Sequence, residues 1–177
     1  MNKDWEVDSR VIKMPEPLGL FAGQLFDRGG EYLDAFRSLA EHDGLMMHAK
    51  YFTMAHAFEL FLKSFLATRG VSKKELQHRQ LGHKLDNIYE KCVTLGIPAV
   101  ANIDVFAREV AEKNRDFDFR YPSNYNLRLP SPRLCLEIID PLVGVLQPLV
   151  SSARSRAQIQ CASDTRHLKG HKIRWSD

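Results

Sequence analysis

Residues 51–70 read YFTMAHAFELFLKSFLATRG, and this stretch decides the fold. It is apolar around nearly its whole circumference, so it predicts a buried helix and not an amphipathic surface one. That helix is expected over residues 45–69, with Gly70 as its C-terminal stop. Yet it carries His56, Glu59 and Lys63. At 100° per residue, His48, Phe52, His56, Glu59 and Lys63 fall within an arc of roughly 80°. Unpaired buried charge costs on the order of several kcal/mol, so the stripe predicts internal partners or a ligand. Glu59 and Lys63 are spaced i, i+4 with the acid first, the favourable orientation for an intrahelical pair. The expectation is that one of them is buried and touches His83, Arg120 or Tyr121.

Helical patterns surround this segment. Leu20, Phe21 and Leu25 suggest a short helical piece that Gly29-Gly30 interrupts. Tyr32, Leu33, Phe36, Leu39 and Ala40 then follow the i, i+3/i+4 spacing up to Gly44. Ser72-Lys73-Lys74-Glu75 matches a capping box and opens a short turn of helix. From near His83, the stripe Leu85, Ile88, Cys92 and Leu95 predicts a helix closing at Gly96. Pro98 opens the next segment, whose apolar face is Val100, Ile103, Phe106, Ala107 and Val110. Residues 114–132 break the pattern with aromatics, arginines and three prolines, and read as a structured loop. Ser131 is an N-cap with Pro132 at the first helical position. The last helix carries Leu134, Ile138, Leu142, Val145, Leu146 and Leu149, with a kink expected at Pro141. No strand pattern stands out. The class is therefore all-α, an up-and-down antiparallel bundle of about five main helices. Residues 1–26 are expected as an arm and short helical segment, 27–150 as the bundle and 151–177 as a basic tail. In the arm, Trp5, Val7, Val11 and Ile12 are available to pack on the body or on a partner.

Composition narrows the class. A chain of 177 residues, 44% hydrophobic and 27% charged, can bury a real core. No apolar run approaches the roughly 20 residues of a bilayer span, and MNKDWEVDSR lacks the features of a secretory signal. Cys92, Cys135 and Cys161 are odd in number and widely spaced, which argues against a disulfide framework. These features predict a cytoplasmic protein with no membrane contact. The net charge of +3 is uneven: from Ser151 onward six basic residues face Asp164 and Asp177, which leaves residues 1–150 at −1. Such a tail either solubilises the terminus or contacts phosphates. Cys161, His167 and His171 have metal-compatible spacing but no evident fourth ligand, and no metal or cofactor is expected.

Three short motifs in order resemble a known family. Ala55, Leu60, Lys63 and Leu66 form A-x-x-x-x-L-x-x-K-x-x-L on the central helix. His83 and Leu85 form H-x-L at the start of a later helix, and Arg120-Tyr121-Pro122 follows a third. Over residues 30–150 the chain resembles the HEPN superfamily. The resemblance implies a helical bundle, a homodimer, and action in a bacterial stress, defence or toxin–antitoxin system, beside a nucleotidyltransferase-type partner.

The ribonuclease branch of that family uses R-x(4–6)-H. Here Arg115 and Asp116 match the arginine and the polar residue after it, but Arg120 stands where histidine is expected. A histidine near pKa 6.5 exchanges protons at neutral pH; an arginine does not. Arg79 and His83, four apart, lie elsewhere and do not restore the motif. The resemblance with this departure implies a non-catalytic module that binds a nucleotide, an RNA or a protein partner. The alternatives are a divergent metal-independent endoribonuclease and a structural adaptor. The candidate ligand-binding residues are Lys63, His83, Arg115, Arg120 and Tyr121, with His56, Glu59 and Lys63 as a structural polar network. Arg115, Arg120 and Arg128 beside Phe117, Phe119, Tyr121 and Tyr125 offer guanidinium groups for phosphate and rings for bases. Equally, Asp116 and Asp118 could neutralise those arginines while the rings cap the bundle.

Overall fold

A computed structural model describes residues 11–42, 46–115, 129–168 and 171–176. Along the chain these form β1 (Val11–Pro15), α1 (Leu18–Ala40), α2 (Met47–Thr68), α3 (Lys73–Gln77), α4 (Leu85–Thr94), α5 (Ile103–Arg115), α6 (Pro132–Asp164), a 3-10 turn (Arg166–Leu168) and β2 (Lys172–Ser176). The protein is an all-α helical bundle, with five longer helices, the short α3 and one small strand pair among the described residues.

The centre is α2. Every residue from Ala57 to Ala67 is buried, Glu59 and Lys63 included. It packs chiefly on α1, with α6 and α4 on its other sides, while α5 covers α4. Phe61 meets Phe26 of α1 edge-on at 5.2 Å, and Phe58 meets Phe106 of α5 in the same way at 5.2 Å. Edge-to-face geometry lets the positive ring rim meet the negative face. The helix stops where Gly70 adopts φ +90°, which a side chain would strain. Val71 N–H then bonds back to the Leu66 carbonyl at 3.1 Å, closing the helix end. Gly96, φ +75°, ends α4 in the same way. Ser72 and Ser131 act as the expected N-caps, accepting from Glu75 N–H and Leu134 N–H, each at 3.2 Å.

Three expectations need correction. Gly29-Gly30 does not interrupt the first helix; α1 runs unbroken through it. Gly29 is buried there because a Cβ would sit 3.0 Å from the Phe61 ring, so its role is close approach. The last helix does not end near Leu149 but continues to Asp164. Its extension lies against α1, where side chains at Gly19 or Gly23 would collide with the Ala153 carbonyl or with Arg154. Arg154 also pairs with Asp27 at 2.5 Å. The boundaries expected after residues 26 and 150 thus both fall inside helices. Finally, strands do occur: β1 and β2 pair in parallel, Val11 opposite Lys172 through Pro15 opposite Ser176.

By length and composition α6 could cross a bilayer. Its apolar stripe of Cys135, Ile138, Ile139, Leu142, Leu146 and Val150 packs into the bundle core, and 33% of the apolar window is buried.

Candidate functional site

The charged stripe of α2 splits into two environments. His56 faces α1, its ring edge-on to Tyr32 at 4.5 Å and stacked on Phe52 at 5.8 Å. Glu59 and Lys63 face the segment that leads into α4. Lys63 Nζ donates to Glu59 Oε1 at 2.8 Å and also to the Gly82 carbonyl. The Glu59 side chain is 3% exposed and that of Lys63 11%, so this is a buried pair that each partner needs.

Glu59 has a second partner. His83 Nδ1 lies 3.1 Å from Glu59 Oε1 and 3.3 Å from Oε2. Against an ionised carboxylate that nitrogen carries the proton, which leaves Nε2 as the ring's other functional atom. His83 itself is half-exposed. Its backbone carbonyl accepts from Asn114 Nδ2 at 3.3 Å, tying the segment to the end of α5. Lys63, Glu59, His83 and Asn114 therefore form one connected centre reaching from the core to the surface.

Above it lies a hollow of about 300 Å³ lined by His83, Lys84, Leu85, Asp86, Asn87, Ala111 and Asn114. The first turn of α4 lines this hollow; Lys84 does not cap it, but Asp86 Oδ1 accepts from Asn87 N–H at 2.9 Å. A helix start presents backbone N–H groups and the positive end of the dipole, and here the Asp86 carboxylate already meets them. Asn87 Nδ2 donates to the Gln80 carbonyl at 2.8 Å, fixing one wall. The lining mixes cation, amide, carboxylate and imidazole, which suits a small polar ligand. Among the described residues, no cluster of three or more His, Cys, Asp or Glu side chains could hold a metal ion. Burial pushes the thiols of Cys92 and Cys135 upward, the latter to about 12, which makes them poor nucleophiles.

The sequence-derived candidates are placed unequally. His83 lines the hollow. Lys63 does not: its ammonium is spent on Glu59 and the Gly82 carbonyl, and it supports the centre from below. Arg115 is the last residue of α5, next to Asn114. Arg120 and Tyr121, with the aromatic loop around them, lie outside the described residues. Sequence reasoning missed Asn114, Lys84, Asn87 and the Gly82 carbonyl. Asn114 had a readable signal, since it continues the apolar stripe Phe106, Ala107, Val110 at a core position where a polar side chain needs a reason. Lys50, 3% exposed and donating to the His42 carbonyl at 2.9 Å, had the same signal four residues before Met54.

No protein-family model, no curated protein and no solved structure matches this chain.

Proposed function

We propose that this protein is a HEPN-like helical module that binds a nucleotide or an RNA end in the hollow at the start of α4. The observation that carries this reading is the buried Glu59 carboxylate holding His83 at 3.1 Å at the mouth of the hollow. A phosphate would meet His83 and Lys84 at the start of α4, and Asn87 and Asn114 would bond the sugar or base; Arg115 enters as the arginine of the motif that the chain resembles. The hollow is at the small end of ligand sites, which begin at about 300 Å³, and so admits one nucleoside at a time. A binding role in a stress or defence system follows from the resemblance, and a nucleotidyltransferase-type partner would supply or consume such a ligand.

Calorimetric titration with mononucleotides and short RNAs tests the reading. Binding is expected, falling with salt, and falling at least tenfold in Lys84→Ala and in Arg115→Ala. No heat with any nucleotide or RNA would leave a structural adaptor as the reading.

One observation favours a second reading, a divergent metal-independent endoribonuclease. A histidine oriented through Nδ1 by a buried carboxylate is the arrangement proton transfer requires, and His83 would then replace the histidine missing at Arg120. In that reading Nε2 takes the 2′-hydroxyl proton, the 2′-oxygen attacks phosphorus, and the departing 5′-oxygen receives the proton back. The reading stands if the wild type cuts RNA to cyclic phosphate ends and His83→Ala does not; intact RNA in both excludes it.

A further inference from the structure

The strand pair made by the two ends of the chain is unfinished. It consists of β1 and β2 alone among the described residues, and a two-stranded sheet is at best marginally stable in water. Its register sorts the side chains cleanly. Paired residues in a parallel ladder share a face, so Ile12, Met14, Ile173 and Trp175 form one half-buried apolar face. The opposite face presents Lys13, Lys172 and Arg174, all exposed, and neither strand contains an acidic residue.

The two outer edges differ. Glu16 N–H donates to the Ser176 carbonyl at 3.4 Å, which fixes the alternation of the ladder. The N–H groups of Ile12 and Met14 then point to β2, and those of Val11 and Lys13 point away. Pro15, next in that outward row, has no N–H, which blunts the β1 edge. On β2 the outward row is Ile173 and Trp175, whose N–H and C=O groups face away from β1 and meet no third strand among the described residues. The β2 edge is complete, and it asks for a strand with apolar residues on the Ile173–Trp175 face and acidic residues on the Lys172–Arg174 face.

This chain contains such a segment. Asp4-Trp5-Glu6-Val7-Asp8 is its longest run alternating acidic and apolar residues, with the period of two that a strand requires. The segment lies outside the described residues, joined to Val11 by Ser9 and Arg10 alone. Three Cα steps, about 11 Å fully extended, leave no room to round the chain entering β2 at His171 and reach the far edge. Nor does Ser9-Arg10 supply the left-handed residues that a two-residue hairpin onto β1 prefers. A strand at the β2 edge would therefore come from another molecule.

We propose that residues 4–8 of a second copy add to the open edge of β2, so that two copies exchange their N-terminal arms around a two-fold axis. Trp5 and Val7 extend the apolar face, while Asp4, Glu6 and Asp8 meet Lys172 and Arg174. The exchange is independent of the hollow at α4.

Light scattering on the full chain at about 10 µM tests this. The expected mass is twice that of the 20.3 kDa chain. The arm variant Asp4→Lys/Glu6→Lys/Asp8→Lys and the edge variant Lys172→Glu/Arg174→Glu should each be monomeric, and an equal mixture of the two should give back dimers by matching each edge to the opposite arm. Unchanged helical circular dichroism shows that each variant is folded. Val7→Cys mixed with Ile173→Cys should form a disulfide between chains. A monomeric wild type overturns the proposal, as does a dimer that survives both charge reversals. Binding of an added peptide of the first ten residues to a monomeric wild type would also overturn it, showing an edge that accepts strands without exchange.

Discussion

Two ion pairs in this protein share a spacing and a distance. Glu59–Lys63 on α2 and Arg133–Glu137 on α6 are both i, i+4, and both close at 2.8 Å. The first pair has side chains 3% and 11% exposed; the second, 89% and 54%. Local geometry is the same, and the physical meaning is not. On α6 each charge is solvated with or without its partner, so the pair adds little. On α2 each charge exists in the core only because the other is there, and the pair draws His83 and the Gly82 carbonyl into place. Spacing on a helix tells which side chains can meet; the fold around them tells what their meeting is worth.

The sharpest way to break the comparison is to remove one acid from each pair. Glu59→Ala strands the Lys63 ammonium in the core and releases His83, and should cost about 3–5 kcal/mol in urea unfolding. A loss near that of a surface pair would mean that water reaches Lys63. A smaller effect is expected at Tyr51, whose hydroxyl donates to the Pro130 carbonyl at 2.6 Å. Tyr51→Phe should cost about 1 kcal/mol at neutral pH. Burial pushes the Tyr51 phenol up to about 12 from its ordinary 10.0, and it raises the thiols of Cys92 and Cys135. The unfolded chain therefore gives up these protons at lower pH than the folded one. The folded state holds more protons in that range, so stability falls as pH rises toward 12. Tyr51→Phe should make the alkaline decline shallower, and an identical slope would show that the phenol titrates normally. The smallest effect belongs to the other pair: Glu137→Ala should shift stability by no more than about 0.5 kcal/mol, and less still in high salt.

Much of the fold could be read locally. The near-continuous apolar surface of residues 51–67 marked the buried helix, and Ser72, Ser131, Gly70 and Gly96 marked helix ends, because caps and left-handed stops are properties of a few adjacent residues. The Gly29-Gly30 pair was misleading for the opposite reason. Gly29 is set by the Phe61 ring across the interface, and Gly19 and Gly23 by the late turns of α6, contacts that no local pattern encodes. The same holds for β1 and β2, five residues each, whose alternation becomes meaningful only once they lie side by side. Within the candidate site, Glu59, Lys63 and His83 stood out as ionisable groups in apolar or motif-bearing surroundings. Lys84, Asn87 and the Gly82 carbonyl did not, since surface polar residues look alike until a helix start gathers them around a hollow.

The strand pair also orders events in time. Val11 lies beside Lys172, so this ladder closes a loop that spans α1 through α6, and loop-closure entropy opposes it until something else has brought the two strands together. α1 with α2 and α4 with α5 can dock as near neighbours in sequence, α6 then closes back on α1 and α2, and only after that do the strand ends meet. During synthesis β1 emerges early and waits with its edges unsatisfied while the rest of the chain is made. Protection of its amides against hydrogen exchange would therefore arise last in refolding, as a report that the bundle is already complete.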